Sequence, residues 1–289
     1  MKMLWGKVRH ILVLPTYRKL EFFLKLIIFI PKILYMRIKI ITTSKDMLYI
    51  LPHEGLGDFV TILPALTQLS SRFKIIKILI RRSTWEAYSS SFDIPNNIKP
   101  VFFYHNKSYA FSKLREKTIS RRGLFIKLGI YDGDPILSYP NSFFYKLGIF
   151  DYETITQKIS LNQSNIKKLD QDLINGNYEY LNLGTSNTTF QHKINNRPCI
   201  ESISHDKLIL HYDDEAPKLI KILKYPLLTN IILAIRSSRA IVSDAGIFNI
   251  LVRLNERPNL TVYTRAASNS YNKEIYALPF DGKVYDYPK

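Results

Sequence analysis

The chain has 289 residues, 46% of them hydrophobic and 13% aromatic, which is enough for two packed domains and excludes an intrinsically disordered protein. Its one cysteine, Cys199, excludes an internal disulfide and a zinc finger, and the six histidines lack metal-binding spacing, so we expect no metal ion and no cofactor. The net charge of +17 indicates an anionic partner: nucleic acid, a phosphorylated small molecule or acidic lipid.

The first 45 residues form a basic arm. They contain ten lysines and arginines against Glu21 alone, so the arm carries a net charge of +9, over half of the chain's excess. Four of these cations recur every seven residues along an otherwise apolar stretch, which keeps them on one slowly drifting helical stripe: Arg18, Lys25, Lys32 and Lys39. The pattern predicts that residues 16–41 lie as an amphipathic helix on an anionic membrane surface.

Other structures compete for this arm. A helix packed on the domain surface would also fit the apolar positions. A transmembrane helix is disfavoured because Lys25, Pro31 and Lys32 interrupt the roughly 20 apolar residues that spanning needs. A signal peptide is disfavoured because no small-residue cleavage site follows. We therefore expect a cytoplasmic protein that is peripheral on the inner face of the membrane.

From Met47 onward, short apolar runs alternate with amphipathic stretches, a pattern typical of βαβ units and parallel sheets. We predict an α/β fold of two Rossmann-like halves, with the arm at 1–45, a first domain at 46–160 and a second domain at 161–289. In the first half the predicted strands are 47–51, 75–80 and 99–104, and the predicted helices are 59–73, 83–92 and a basic helix within 108–127. A polar and aromatic connection follows at 140–153.

The second half begins with a predicted helix at 164–176. Further elements follow the same alternating pattern. The predicted strands are 179–184, 207–212, 240–243 and 259–263, and the predicted helices are 216–238, broken at Pro226, and 247–255.

The first motif is HEGLGD, directly after the first predicted strand. Gly55 and Gly57 are predicted in a strand-to-helix turn where a ligand can approach the backbone, with Glu54 beside them. Asp58 stands at the helix entrance, on the edge of the sheet where ligands bind in parallel α/β folds. It is a candidate catalytic base, and the alternative is a simple helix N-cap.

The second motif is SDAG, between a predicted strand and helix. The amide hydrogens at a helix start favour anions, and Gly246 would let a diphosphate approach closely. Ser243 and Asp244 belong to the same turn. From the residues alone, the turn is either a phosphate site or an ordinary helix cap.

Other charged segments have simpler interpretations. Asp132-Gly133-Asp134 spells a metal-binding D-x-D motif but is first a turn signature, and Asp213 to Glu215 are predicted in a solvated loop. The basic helix within 108–127 is accompanied by no recognised nucleic-acid motif, so we expect no nucleic-acid partner. A basic nucleic-acid-associated α/β protein remains an alternative function.

Both motifs, in this order, resemble those of the lipopolysaccharide heptosyltransferases. That family has a Gly-Asp turn followed by a Pro-Ala-Leu helix, then an Asp-x-Gly turn, a helix and a strand introduced by Arg-Pro-Asn. This chain matches the pattern over residues 47–265, at Gly57, Asp58, Pro64, Ala65, Leu66, Asp244, Gly246, Arg257, Pro258 and Asn259. Thr185, Ser186 and Lys193 are similar to the family's nucleotide-binding turn.

The resemblance implies a GT-B fold and a metal-independent, inverting glycosyltransferase. The residue at the Asp58 position would deprotonate the acceptor, a saccharide or lipid-linked sugar. A nucleotide-diphosphate sugar would bind as substrate at residues of the second half: Thr185, Ser186, Lys193, Ser243, Asp244, Gly246 and Arg265. The family's histidine after the Asp-x-Gly turn is replaced here by Asn249, which argues against heptose as the sugar. The alternative is an inactive sugar-binding protein of the same fold.

Overall fold

The computed structural model describes two parallel sheets with their helices and a few residues of the arm. The described residues are 27, 31, 34, 35, 38, 42, 46–52, 55–102, 123–128, 141–149, 158–169, 178–182, 208–211, 220–221, 225–243, 245–256, 258–263 and 282–285.

The first sheet has four parallel strands in the order β3-β2-β1-β4. They are β1 (Met47–Leu51), β2 (Ile75–Ile80), β3 (Ile98–Phe102) and β4 (Leu124–Lys127). Strands β1 and β2 coincide with their predicted bounds, because each is a short, mostly apolar run that begins after a charged residue, Asp46 or Lys74. Residues 124–127 were predicted within a basic helix, and this prediction is wrong. They pair with β1 from Leu48↔Leu124 onward, so the pairing with a distant strand overrides the local charge pattern.

Four helices accompany the first sheet and the segment after it. They are α1 (Leu56–Ser70), α2 (Arg82–Ser91), α3 (Asn141–Lys146) and α4 (Gln163–Ile166). Helix α3 falls where we expected only a connection, and Gly148, whose φ is 73°, terminates its turn. Helix α4 ends at Ile166, whereas the predicted helix extended to residue 176. Residues 170–176 of the predicted helix lie outside the described residues.

The second sheet has six parallel strands in the order β10-β9-β8-β5-β6-β7. They are β5 (Tyr178–Asn182), β6 (Leu208–His211), β7 (Ile220–Lys221), β8 (Arg239–Ser243), β9 (Leu260–Tyr263) and β10 (Gly282–Tyr285). The helices described with it are α5 (Leu227–Arg236) and α6 (Gly246–Leu251).

Two features of the second sheet differ from the sequence analysis. The predicted helix 216–238 begins only at Leu227, after Pro226, and Ile220–Lys221 is a strand paired with β6. Strand β10 was not predicted, and it pairs with β9 at the sheet edge. Both strands are short, so their pairing with neighbours rather than their own pattern determines them.

One apolar core joins the two sheets. It includes Ile50 of β1, Phe59 of α1, Ile231 of α5 and Phe248 of α6, all with no exposed surface. Residues 59–66 of α1 are buried without interruption, which an amphipathic surface helix would not show. Helix α1 is therefore covered on more than one side: it lies against α6 and α3.

Candidate active site

The first sheet reverses its direction of winding next to β1. The chain runs outward from β1 to β2 and β3, then returns to place β4 on the other side of β1. In open parallel sheets, ligands bind at the carboxyl ends of the strands on either side of such a reversal. Helix α1 leaves the carboxyl end of β1 at this point, which supports the choice of the HEGLGD segment as a candidate site.

The second sheet has the same kind of reversal between β5 and β8. The chain runs from β5 outward through β6 and β7, then returns to β8 on the opposite side of β5, next to which β9 and β10 follow. The carboxyl ends of the two strands lie together, since Asn182 is paired with Val242, next to Ser243. Helix α6 leaves β8 at this edge.

The two helices that leave the reversal points contact each other through their glycines. A Cβ atom placed on Gly57 would lie 3.1 Å from Nδ2 of Asn249, and one placed on Gly246 would lie 3.0 Å from Cβ of Leu56. Such distances are shorter than ordinary side-chain contacts, so the lack of a side chain at both glycines permits the approach. The predicted acceptor-side and donor-side turns are therefore neighbours in space.

Asp58 is the third residue of α1 and is partly exposed. The N-cap of the helix is Gly55, whose carbonyl accepts a hydrogen bond from the Phe59 amide at 3.0 Å. The alternative that Asp58 is the N-cap is therefore wrong, and Gly57 lies within the helix rather than in the turn before it. A carboxylate in the first turn is favoured by the helix dipole, which gives Asp58 a local structural role besides any chemical one.

Neither Ser243 nor Gly246 is the N-cap of the helix that follows the SDAG turn. Ser243 ends β8 and is fully buried, and its carbonyl accepts a hydrogen bond from the Ala245 amide at 2.7 Å. The N-cap of α6 is Ala245, with no side-chain cap. Ser243 is thus not the cap of α6. Gly246 is partly exposed and has a visible packing role against Leu56.

Asn249 is 2% exposed and its amide group has defined partners on both sides. Its Nδ2 donates to the Ala245 carbonyl at 3.1 Å, and its Oδ1 accepts from Nη1 of Arg253 at 3.1 Å. The same Nη1 donates to the Asn249 carbonyl at 2.9 Å, and Arg253 is itself fully buried. These contacts fix which end of the amide faces Gly57.

A short segment crosses between the two sheets close to this network. The Ile159 amide donates to the Arg253 carbonyl at 3.0 Å, and the Lys158 ammonium donates to the Leu254 carbonyl at 3.0 Å. On the other side, the Asp93 amide, next to α2, donates to the Ser160 carbonyl at 2.9 Å. The end of α6 is therefore linked by hydrogen bonds to the first half of the chain.

Several predicted site residues fall outside the described part of the chain. They are Glu54, Thr185, Ser186, Lys193, Asp244 and Arg265. The structure brings Gly57 and Gly246 together, and Gly55 and Asp58 lie at the start of the same helix as Gly57. Sequence analysis missed Leu56 and Arg253. Arg253 could have been found from its spacing of four residues after Asn249, since this spacing brings two side chains together on a helix.

Metal-ligand clusters and membrane-spanning helices are both absent from the described part of the chain. There, no group of three or more histidine, cysteine, aspartate or glutamate residues could hold a metal ion. No helix among the described residues has the length and apolarity needed to cross a bilayer.

No family model and no curated protein matches the sequence, whereas solved structures resemble the fold. A glycosyl transferase of family 9 from Veillonella parvula DSM 2008 has a TM-score of 0.51 at 12% identity, covering 84% of this chain and 87% of its own. E. coli heptosyltransferase WaaC with ADP has a TM-score of 0.46 at 10% identity, covering 84% and 91%. The iron-containing dodecameric glycosyltransferase TibC from enterotoxigenic E. coli H10407 has a TM-score of 0.46 at 12% identity, covering 76% and 58%.

The chain thus has an α/β fold with parallel sheets, of the class found in family 9 glycosyltransferases. The predicted likeness to glycosyltransferases is confirmed at the level of the fold by the family 9 structure. At 12% identity the likeness concerns the fold alone, and the activity must be argued from the site.

Proposed function

We propose that the protein is a GT-B glycosyltransferase that moves a sugar from a nucleotide diphosphate to a saccharide or glycolipid acceptor. The observation that carries this proposal is the contact between α1 and α6, which joins the two reversal points. A transferase needs a base and a donor phosphate site on opposite sides of one cleft. The acceptor would bind to the domain at 46–160 and the donor to the domain at 161–289.

In the proposed reaction, Asp58 takes the proton of an acceptor hydroxyl. The resulting oxygen attacks the anomeric carbon of the donor as the bond to the nucleoside diphosphate breaks, which inverts the configuration. Its position in the first turn of α1, at the carboxyl edge of the first sheet, supports this role. Glu54, Gly55 and Gly57 would line the acceptor side.

The departing diphosphate carries the charge that the protein must stabilise. The proposed groups lie in the connections that follow β5 and β8, the two strands at the reversal point of the second sheet. Thr185 and Ser186 follow Asn182, the last residue of β5, by three and four positions in sequence, and Ser243, Asp244 and Gly246 follow or end β8. Lys193 and Arg265 would supply positive charge, so that no metal ion is needed.

A screen for nucleotide-sugar binding tests the donor part of this proposal. A panel of UDP-, GDP- and ADP-linked sugars is added to the full chain, and the melting temperature is measured. A bound donor at 100 times its Kd should stabilise the protein by about 2.7 kcal/mol. Stabilisation by none of the panel would contradict the proposed donor class.

An inactive sugar-binding protein of the same fold is the second candidate. The observation that favours it is the shortness of α6, the helix at the proposed donor site, which has only six residues. Release of nucleoside diphosphate from a stabilising donor, without acceptor, separates the two. A binding protein should stabilise with the donor and release nothing.

The arm supports a proposal about where the enzyme works. Its described apolar residues are helical and mostly exposed: Ile27 by 64%, Leu34 by 50%, Tyr35 by 61% and Ile38 by 59%. Residues at spacings of three, four and seven lie on one face of a continuous helix. Together with the charge of +9 in residues 1–45, this face supports binding to an anionic membrane, where a lipid-linked acceptor for cell-surface polysaccharide or lipopolysaccharide synthesis would be found.

Paired substitutions on that face test the membrane proposal. Leu34→Glu with Ile38→Glu should abolish sedimentation of the protein with vesicles that contain one third phosphatidylglycerol, because two apolar side chains would no longer enter the bilayer. Ile75→Glu, at a partly exposed apolar residue of the first sheet, is the matched control and should leave sedimentation unchanged. Equal sedimentation of both variants would show that the apolar face of the arm does not contribute to membrane binding.

A further inference from the structure

The amide of Asn249 occupies the junction between the two proposed half-sites. It is buried in α6, and its nearest neighbour in α1 is Gly57, one residue before Asp58. A Cβ atom on Gly57 would lie 3.1 Å from Nδ2 of Asn249, closer than the 3.5 Å to Cγ of Asn249 or to Cα of Gly246. Whatever fixes this amide also fixes how close the first turn of α1 lies to α6.

Two hydrogen bonds fix the side-chain amide, and two more hold the backbone of Asn249. Nδ2 donates to the Ala245 carbonyl, which also accepts the Asn249 backbone amide at 3.2 Å. Arg253 donates from the other side to both oxygens of Asn249, the side-chain Oδ1 and the carbonyl. A rotated amide would set two donors, Nδ2 and the guanidinium, against each other, so only one orientation satisfies the network.

We propose that Asn249 is a positioning residue for the transfer reaction. Held by Arg253, it sets the separation between the turn that carries Asp58 and the turn that begins at Gly246. This inference rests on the proposed function for its catalytic consequence, but the contact itself can be tested without any activity. Reacting groups tolerate little misplacement, and an error of about 1 Å can lower a rate about 100-fold.

The packing part is tested by a double-mutant cycle between Gly57→Ala and Asn249→Ala. Alanine is a better helix former than glycine, so Gly57→Ala should stabilise α1 if nothing opposes it. In the wild type the new methyl group meets the Asn249 amide, and we expect the midpoint of urea unfolding to fall. In the Asn249→Ala background the amide is gone, and the same substitution should raise the midpoint. Equal effects in both backgrounds would overturn the proposed contact.

The catalytic part is tested by turnover with a nucleotide sugar that stabilises the protein. Asn249→Ala should lower kcat about 10-fold to 100-fold while the donor KM changes little, because Asp58 is present but its separation from α6 is changed. Asn230→Ala, which removes another buried amide bonded to the Tyr225 carbonyl at 2.9 Å, is the control. It should lower stability and leave kcat of the folded protein unchanged. An unchanged kcat in Asn249→Ala would overturn the positioning role.

The two kinds of failure can be told apart. If no nucleotide sugar binds or turns over but the effect of Gly57→Ala still changes sign, the proposed function is wrong and the Asn249 contact stands. If turnover is normal and the sign does not change, the proposed function stands and the positioning inference is wrong.

Discussion

Helices α1 and α6 occupy equivalent places in the two sheets but are built differently. Each follows a strand at a reversal point and each contacts the other through a glycine. Helix α1 has fifteen residues, is buried from 59 to 66 and carries Asp58 in its first turn. Helix α6 has six residues and no acidic group in its first turn.

The difference teaches which side of the site is rigid by itself. A long helix buried on several sides holds its first turn firmly, whereas a helix of under two turns gains little stability from its own hydrogen bonds. The position of α6 therefore depends on contacts from outside it, namely Leu56, the buried Arg253 and the bonded segment at Ile159. The following predictions test this asymmetry.

The largest effect is expected from the side that is rigid by itself. Asp58→Asn keeps the shape of the side chain but removes its ability to accept a proton, so sugar transfer should fall by about 10²–10⁴-fold. Donor affinity should barely change, because the donor is proposed to bind at the other sheet. Initial rates and donor binding by calorimetry measure the two quantities.

The control for this change is Asp93→Asn, an exposed aspartate next to α2. It should retain full turnover. Near-normal turnover of Asp58→Asn itself would leave Asp58 with a structural role only, and Glu54→Gln would then be the next variant to assay.

A smaller effect is expected from the side that depends on packing. Gly246→Val adds a side chain whose Cβ would lie 3.0 Å from Cβ of Leu56, so α1 and α6 must separate. We expect a loss of about 1–3 kcal/mol in the free energy of unfolding, with donor affinity falling at the same time. Urea unfolding and donor titration measure the pair of effects.

Leu56→Ala in the Gly246→Val background provides the matched test. It makes room for the new side chain and should recover part of the stability. Loss of donor affinity at unchanged stability would instead mean that Gly246 faces only the donor phosphates and that its contact with Leu56 has little weight.

The smallest effect concerns the second sheet at the end away from the site. Tyr178 begins β5, and its hydroxyl donates to the Leu233 carbonyl at 2.8 Å. Burial raises the pKa of Tyr178 to about 12, and the nearby Arg236 opposes part of this rise. The unfolded chain has a tyrosine pKa of about 10, so the stabilisation is complete below about pH 10 and is lost as the pH rises toward 12.

Tyr178→Phe should therefore flatten the fall in stability between about pH 10 and 12. Near pH 7 the loss should be no more than about 0.5–1.5 kcal/mol, the usual value of one hydrogen bond, because the Leu233 carbonyl also accepts the Ser237 amide. Thermal unfolding across this range, with Tyr225→Phe at an exposed tyrosine as control, measures the effect. An unchanged alkaline slope would contradict the pKa argument.

The sequence by itself determined the α/β alternation, the bounds of β1 and β2 and the two glycine-containing motifs. These are local features: an apolar run of five or six residues between polar ones has few alternatives to a buried strand. The position of each glycine-containing motif between a strand and a helix is likewise a local feature, although Gly57 lies within the helix.

Tertiary structure alone decided the identity of β4, β7 and β10, the place of Asp58 as the third residue of α1, and the contact of Gly57 with Asn249. The local charge pattern of Leu124–Lys127 predicts the end of a basic helix, but pairing with β1 makes this segment a strand. Gly57 and Asn249 are 192 positions apart, so no local sequence pattern predicts their contact. Such contacts depend on how whole sheets and helices pack, because a short element takes its conformation from the neighbour that satisfies its hydrogen bonds and covers its apolar side.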